Sequence, residues 1–160
     1  MIDKMIADNI MCCPRQTREQ LSKFDIEHGV GRGIELFNNE WKRVEFSIDS
    51  EDVVIKGEYI INPNDTGARK KVAIICHGQT AERISDCKYG AILYDLGYNL
   101  VFFDERYHGA STGDYCTLGW KENLDIKKVI SFAKSVFGDD MFFGMHGESM
   151  GAASELILLD

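Results

Sequence analysis

The chain changes its hydrophobic rhythm twice. Up to about residue 33 apolar positions are sparse, as in Thr17-Arg18-Glu19-Gln20-Leu21-Ser22-Lys23-Phe24, which predicts a short helical arm closed by glycines 29, 31 and 33. From Trp41 the rhythm alternates. Val44, Phe46 and Ile48 are separated by polar residues, Asp49-Ser50-Glu51-Asp52 supplies a turn, and residues 53–61 alternate until Asn62-Pro63-Asn64-Asp65 ends the pattern, so an antiparallel hairpin is predicted. Beyond it the apolar positions run continuously: Val72-Ala73-Ile74-Ile75-Cys76, then residues 98–103, then Met141-Phe142-Phe143-Gly144-Met145. Such runs mark strands buried on both faces, as in a parallel sheet, and place Phe102, Phe103, Phe142 and Phe143 in the expected core. Residues 85–96 carry Ile92, Leu93 and Leu96 on one helical stripe, and residues 121–137 carry Ile126, Val129, Ile130 and Ala133 on another. Trp120, opening the second helix, is expected to pack. The succession predicts an α/β fold: a mostly parallel, right-handedly wound sheet preceded by the hairpin, with residues 1–33 as arm and 34–160 as the α/β part.

Composition removes alternatives. With 160 residues, 44% hydrophobic, 28% charged and only 2 prolines, the chain is neither collagen-like nor disordered, and its length suits one domain. Eighteen basic against 26 acidic residues give −8, and the short Arg69-Lys70-Lys71 cluster is no phosphate-binding stripe, so nucleic acid is not an expected partner. No apolar run approaches a membrane span or a signal-peptide core, so a cytoplasmic protein is expected. The five cysteines include no C-x-x-C pair, which argues against zinc and for reduced thiols, with Cys76 a small buried hydrophobe. Gly29-Val30-Gly31-Arg32-Gly33 is not a dinucleotide loop, because Ile34 stands where a glycine is needed and no strand precedes it; a flexible turn is expected.

In a wound sheet, ligands gather at the carboxyl ends of the strands. The residues there are His77-Gly78-Gln79, then Asp104-Glu105-Arg106-Tyr107-His108-Gly109-Ala110-Ser111, then His146-Gly147-Glu148-Ser149-Met150-Gly151. Gly147-x-Ser149-x-Gly151 between a predicted strand and a predicted helix is the setting of a nucleophile elbow. A sharp strand-to-helix turn exposes the serine Oγ and leaves no room for a Cβ two residues before or after it. Ala152, Ala153 and Ser154 keep the first helical turn small, and the helix N-terminus aims N–H groups at a developing oxyanion. Read alone, Ser149 is equally a helix N-cap. Glu148 is expected to be an exposed turn residue, His146 to face the strand–helix packing, and His28 to lie on the surface.

With these motifs the chain, from about Trp41 onward, resembles the first half of an α/β-hydrolase of the bacterial serine-aminopeptidase, prolyl-oligopeptidase-like and esterase group. The resemblance implies Ser149 as nucleophile and the backbone N–H groups of Gln79 and Met150 as oxyanion hole. It implies that His77 and Gly78 shape a turn, and that Asp104, Arg106, His108 and Gly109 belong to a scaffold loop. Family members commonly carry glycine between the arginine and histidine of that loop; here it is Tyr107, which would narrow the pocket.

In this fold the acid and histidine follow the nucleophile along the chain. No histidine follows Ser149 here; the four present are 28, 77, 108 and 146. The resemblance therefore implies that the 160 residues are the N-terminal part of a longer hydrolase and are inactive by themselves. The fifth strand would be an open apolar edge, prone to self-association or to pairing with a complementing segment. The expected activity is cleavage of a small-molecule ester or of an amide or peptide through an acyl-enzyme on Ser149, with no metal or organic cofactor. The alternatives are a non-catalytic binding module and an acyltransferase on the same scaffold.

Overall fold

In the computed structural model, which describes residues 2–159, the elements are α1 (Ile2–Met11), α2 (Arg18–Glu27), α3 (Arg32–Asn39), β1 (Arg43–Ser50), β2 (Val53–Ile60), β3 (Lys71–Cys76), α4 (Cys87–Asp95), β4 (Asn99–Phe103), α5 (Glu122–Phe137), β5 (Phe142–Gly147) and α6 (Met150–Leu159), with a 3-10 turn at Arg83–Asp86. The strands form one sheet in the order β1-β2-β4-β3-β5. It is mixed: β1–β2 and β2–β4 pair antiparallel, β3–β4 and β3–β5 parallel, so the hairpin belongs to the sheet rather than preceding it.

The continuous apolar runs are explained by cover on both faces. Ala73, Ile75, Leu100 and Phe102 face a core shared with Leu21, Phe37, Trp41 and Ala91, whereas Val72, Ile74, Cys76, Val101 and Phe103 face Ile126, Val129 and Ala133 of α5. Phe102 packs edge-on against Phe37 and stacks on Trp41, with ring centroids 6.3 and 6.0 Å apart. Fully buried rings of this kind contribute about 1.5–3 kcal/mol each relative to exposure. Residue 33 lies inside α3, and α2 and α3 both supply core residues, Leu21, Ile34 and Phe37. The start of α2 is set by a capping box: Thr17 Oγ1 accepts from the Gln20 N–H at 3.3 Å and Gln20 Oε1 from the Thr17 N–H at 2.9 Å.

Four local expectations are corrected. Ile92 and Leu96 are 60% and 61% exposed, and α4 docks instead through Cys87, Gly90 and Ala91. Its small residues permit a close approach: a Cβ on Gly33 would overlap the Cys87 carbonyl and one on Gly90 the Phe102 ring. Gly33 is therefore a helix-contact residue, not part of a flexible turn. Phe142 and Phe143 are 48% and 38% exposed because β5 is an edge strand that, among the described residues, pairs only with β3. Trp120 is 75% exposed and packs on nothing that buries it. Among the described residues no helix is long and apolar enough to cross a membrane.

Candidate active site

Parallel register brings the three motif loops together. Cys76 stands opposite Phe103 on one side and Gly147 on the other, so β3, β4 and β5 end level and release residues 77, 104 and 148 at one edge of the sheet. Ser149 follows β5 with φ +53°, a left-handed conformation that costs a residue bearing a Cβ about 1–2 kcal/mol. The turn is held by the Glu148 N–H donating to Cys76 O and the Gly151 N–H to Glu148 O, each at 3.0 Å. A Cβ on Gly151 would overlap the Cys76 carbonyl, and one on Gly147 would lie 2.6 Å from Ala152 Cα. Both glycines are thus required by the close crossing of backbone. Ser149 is exposed, and its hydroxyl has no hydrogen-bond partner among the described residues.

The loop after β3 passes directly over this turn, since a Cβ on Gly78 would sit 3.4 Å from both Ser149 Cβ and Glu148 O. Neither the Gln79 N–H nor the Met150 N–H donates to an acceptor among the described residues. Buried His77 accepts the Glu105 N–H on Nε2 at 2.9 Å and donates from Nδ1 to Gly78 O at 2.8 Å. Burial lowers its pKa to about 3, so the ring is neutral and both nitrogens are engaged. His108 is engaged likewise, its Nδ1 with Arg106 O at 2.9 Å and its Nε2 with the Thr80 N–H at 3.3 Å.

Asp104 accepts the Arg83 N–H at 2.9 Å and the Ala110 N–H at 2.8 Å, and its carboxylate pairs with the Arg83 guanidinium. Arg106, 2% exposed, holds Asp125 of α5 at 2.7 and 2.8 Å. Gly109 has φ +50°, and a Cβ there would overlap the Asp104 carboxylate. Tyr107 has φ +71°, which gives a physical reason for glycine at this position in the group the chain resembles. Its hydroxyl donates to Cys13 O at 3.1 Å. The tyrosine does not line the cavity at Ser149; it reaches the arm instead.

That cavity, about 300 Å³, lies between Gly78, Gln79 and Ser149 on one side and Leu21, Phe24 and Asp25 of α2 on the other. The α2 wall was not visible in the sequence, where these three residues look like a weakly amphipathic surface. Nor was Asp125 as the partner of Arg106, because helical spacing does not reveal which acid faces a buried cation. Lys88 lies 3.8 Å from Asp25 and 3.4 Å from exposed Glu148, and His146 stacks on Tyr89 with ring centroids 4.1 Å apart. Asp86 is fully buried with neither carboxyl oxygen partnered, and burial, then the Glu148 carboxylate, push its pKa up to about 8.

A native proton on Asp86 that the unfolded chain has already released makes stability fall as pH rises from about 4 toward 8. His77 acts in the opposite sense, but only up to about pH 6.5. Buried Glu105, neither of whose carboxyl oxygens is partnered among the described residues, and Glu155, raised by burial to about 7, act in the same sense as Asp86. Chemical unfolding is therefore expected to show a loss between pH 6.5 and 8, of which Asp86→Asn removes roughly 1–2 kcal/mol. A wild-type profile no steeper than that of the variant would contradict the burial of an uncompensated acid at Asp86.

The mixed sheet, the level strand ends and the strained serine turn define an α/β-hydrolase-like fold, which comparison with solved structures supports. The esterase Pf2001 of Pyrococcus furiosus superimposes with TM-score 0.65 at 32% identity, over 78% of this chain and 47% of the esterase. XC6422 of Xanthomonas campestris, a serine hydrolase without a lid, shares the fold with TM-score 0.62 at 21% identity, over 72% of this chain and 55% of its own. The chain is also 40% identical over 149 residues to the uncharacterized protein YqkD of Bacillus subtilis, covering 92% of this chain and 47% of YqkD. It thus spans about half the length of the relatives it matches. No family model matches it.

Proposed function

We propose that the protein is a serine hydrolase acting on small-molecule carboxylic esters or amides through an acyl-enzyme on Ser149. The observation that carries this reading is an exposed serine hydroxyl on a positive-φ turn, beneath a loop whose Gln79 amide, like the Met150 amide beside the serine, has no acceptor among the described residues. In the proposed step Ser149 Oγ attacks the carbonyl carbon and passes its proton to a general base. The carbonyl oxygen, now negative, accepts the Gln79 and Met150 N–H groups. The base then protonates the leaving alcohol or amine, and water hydrolyses the ester on Ser149 by the same route.

His77 and His108 cannot be that base, since the ring nitrogens of both are committed to the scaffold and burial lowers both pKa values. The similarity to the Pyrococcus furiosus esterase supports ester chemistry. Treating the intact protein with a fluorophosphonate is expected to give one covalent adduct, mapped by peptide mass spectrometry to Ser149. An unmodified Ser149 under conditions that label an authentic serine esterase would overturn the proposal.

A further inference from the structure

We propose that the N-terminal arm is a working part of this site: residues 10–16, from the end of α1 toward α2, latched by Tyr107, set the position of the Gln79 amide. This rests on reading that amide as an oxyanion donor.

The contacts converge on the loop over Ser149. The Gln79 side-chain amide donates to Ile10 O at 2.5 Å, and the next residue, Thr80, accepts the Gln16 N–H at 2.7 Å. Thr80 is itself left-handed, φ +71°, a conformation a β-branched residue holds only when its surroundings impose it. Here Gln16 holds its carbonyl and His108 Nε2 its N–H, so releasing the arm would let residues 79–80 relax away from the strained geometry.

The arm in turn is fastened at a second place. The Cys116 N–H donates to Met11 O at 2.9 Å, the Tyr107 hydroxyl to Cys13 O, and the Arg15 guanidinium lies over the Tyr107 ring, 4.7 Å from its centroid, while donating to the Tyr107 carbonyl. Tyr107 occupies its own left-handed position, so a second strained residue is spent on the latch. Residues 10–16 therefore bridge the Ser149-facing loop and the β4 loop, with no regular structure of their own between Cys12 and Thr17 to account for their order. An oxyanion donor acts only if it is aimed before the reaction, and a displacement of about 1 Å can cost 10²-fold in rate.

The test uses Tyr107→Phe, Arg15→Met and their combination in the intact protein. The double variant is expected to lower kcat for an activated aryl ester about 10-fold per fluorophosphonate-titrated Ser149, with KM within about twofold of wild type. Amide hydrogen exchange at Thr80 and Ala81, whose N–H groups are bonded to His108 Nε2 and Gly78 O, is expected to rise about tenfold, and Arg15→Lys, which keeps a cation over the ring, to recover part of both. A lowered Tm with unchanged kcat per titrated site and unchanged exchange at 80 and 81 would overturn the inference, leaving the arm a purely structural element. If Ser149 is not labelled even in the wild type, the hydrolase reading falls, and exchange at 80 and 81 alone decides whether the arm holds the loop.

Discussion

Replacing Ser149 with alanine is expected to reduce ester turnover by the intact protein about 10⁴–10⁶-fold, with substrate binding little changed. The range follows from the proposed role. Without Oγ no acyl-enzyme forms, and the residual rate reflects only substrate held beneath the Gln79 and Met150 amides. Ser149→Gly should lose activity equally but gain about 1 kcal/mol of stability, because glycine adopts φ +53° without the Cβ penalty. Strain retained at a position whose substitution stabilises is a signature of function rather than folding. Steady-state kinetics with an aryl ester, beside urea unfolding of both variants, checks the pair. More than about 1% residual turnover in Ser149→Ala would remove the serine from the mechanism.

Arg106→Met is expected to destabilise the protein by about 3–5 kcal/mol, the usual cost of stranding one member of a buried ion pair. Asp125 is 1% exposed and is left with only the Ser50 hydroxyl, which donates to Oδ1 at 2.5 Å. Burial already raises its pKa even against the opposing pull of Arg106. With the guanidinium gone the carboxyl must stay charged in an apolar setting or take up a proton. The deficit should accordingly shrink as pH falls. Adding Asp125→Leu should recover much of the loss, since two apolar side chains replace the pair without leaving a charge behind. Urea unfolding of the single and double variants at pH 7 measures both terms. A single variant within 1 kcal/mol of wild type would show that the pair does not brace the β4 loop.

The strands and the serine motif were legible for the same reason. Val72 to Cys76 and Leu100 to Phe103 are apolar at every position because helices cover both faces of β3 and β4, and Gly147 and Gly151 are glycine because backbone crosses there with no room for a Cβ. His77 and His108 were expected to be structural, and each has both ring nitrogens bound to backbone. What misled was apolarity without position. Phe142 and Phe143 look like Phe102 and Phe103, but among the described residues β5 pairs with β3 alone and leaves them exposed. Ile92 and Leu96 look like a core stripe, but α4 approaches through Gly90 and Ala91.

From Trp41 onward the sequence by itself determined the element order and the residues standing at the strand ends, because burial on two faces and steric exclusion of a Cβ are local demands that each leave a mark on residue type; before it, one helical arm was expected where three helices stand. It determined the serine turn in the same way. Only the tertiary structure decided that α2 walls the cavity beside Ser149, that Asp125 is the partner of Arg106, and that residues 10–16 are bonded to Gln79 and Thr80 on one side and to Tyr107 of the β4 loop on the other. The polar contacts among these join residues 19 to 94 positions apart, and such pairings follow from how packed elements meet, not from any periodicity along the chain.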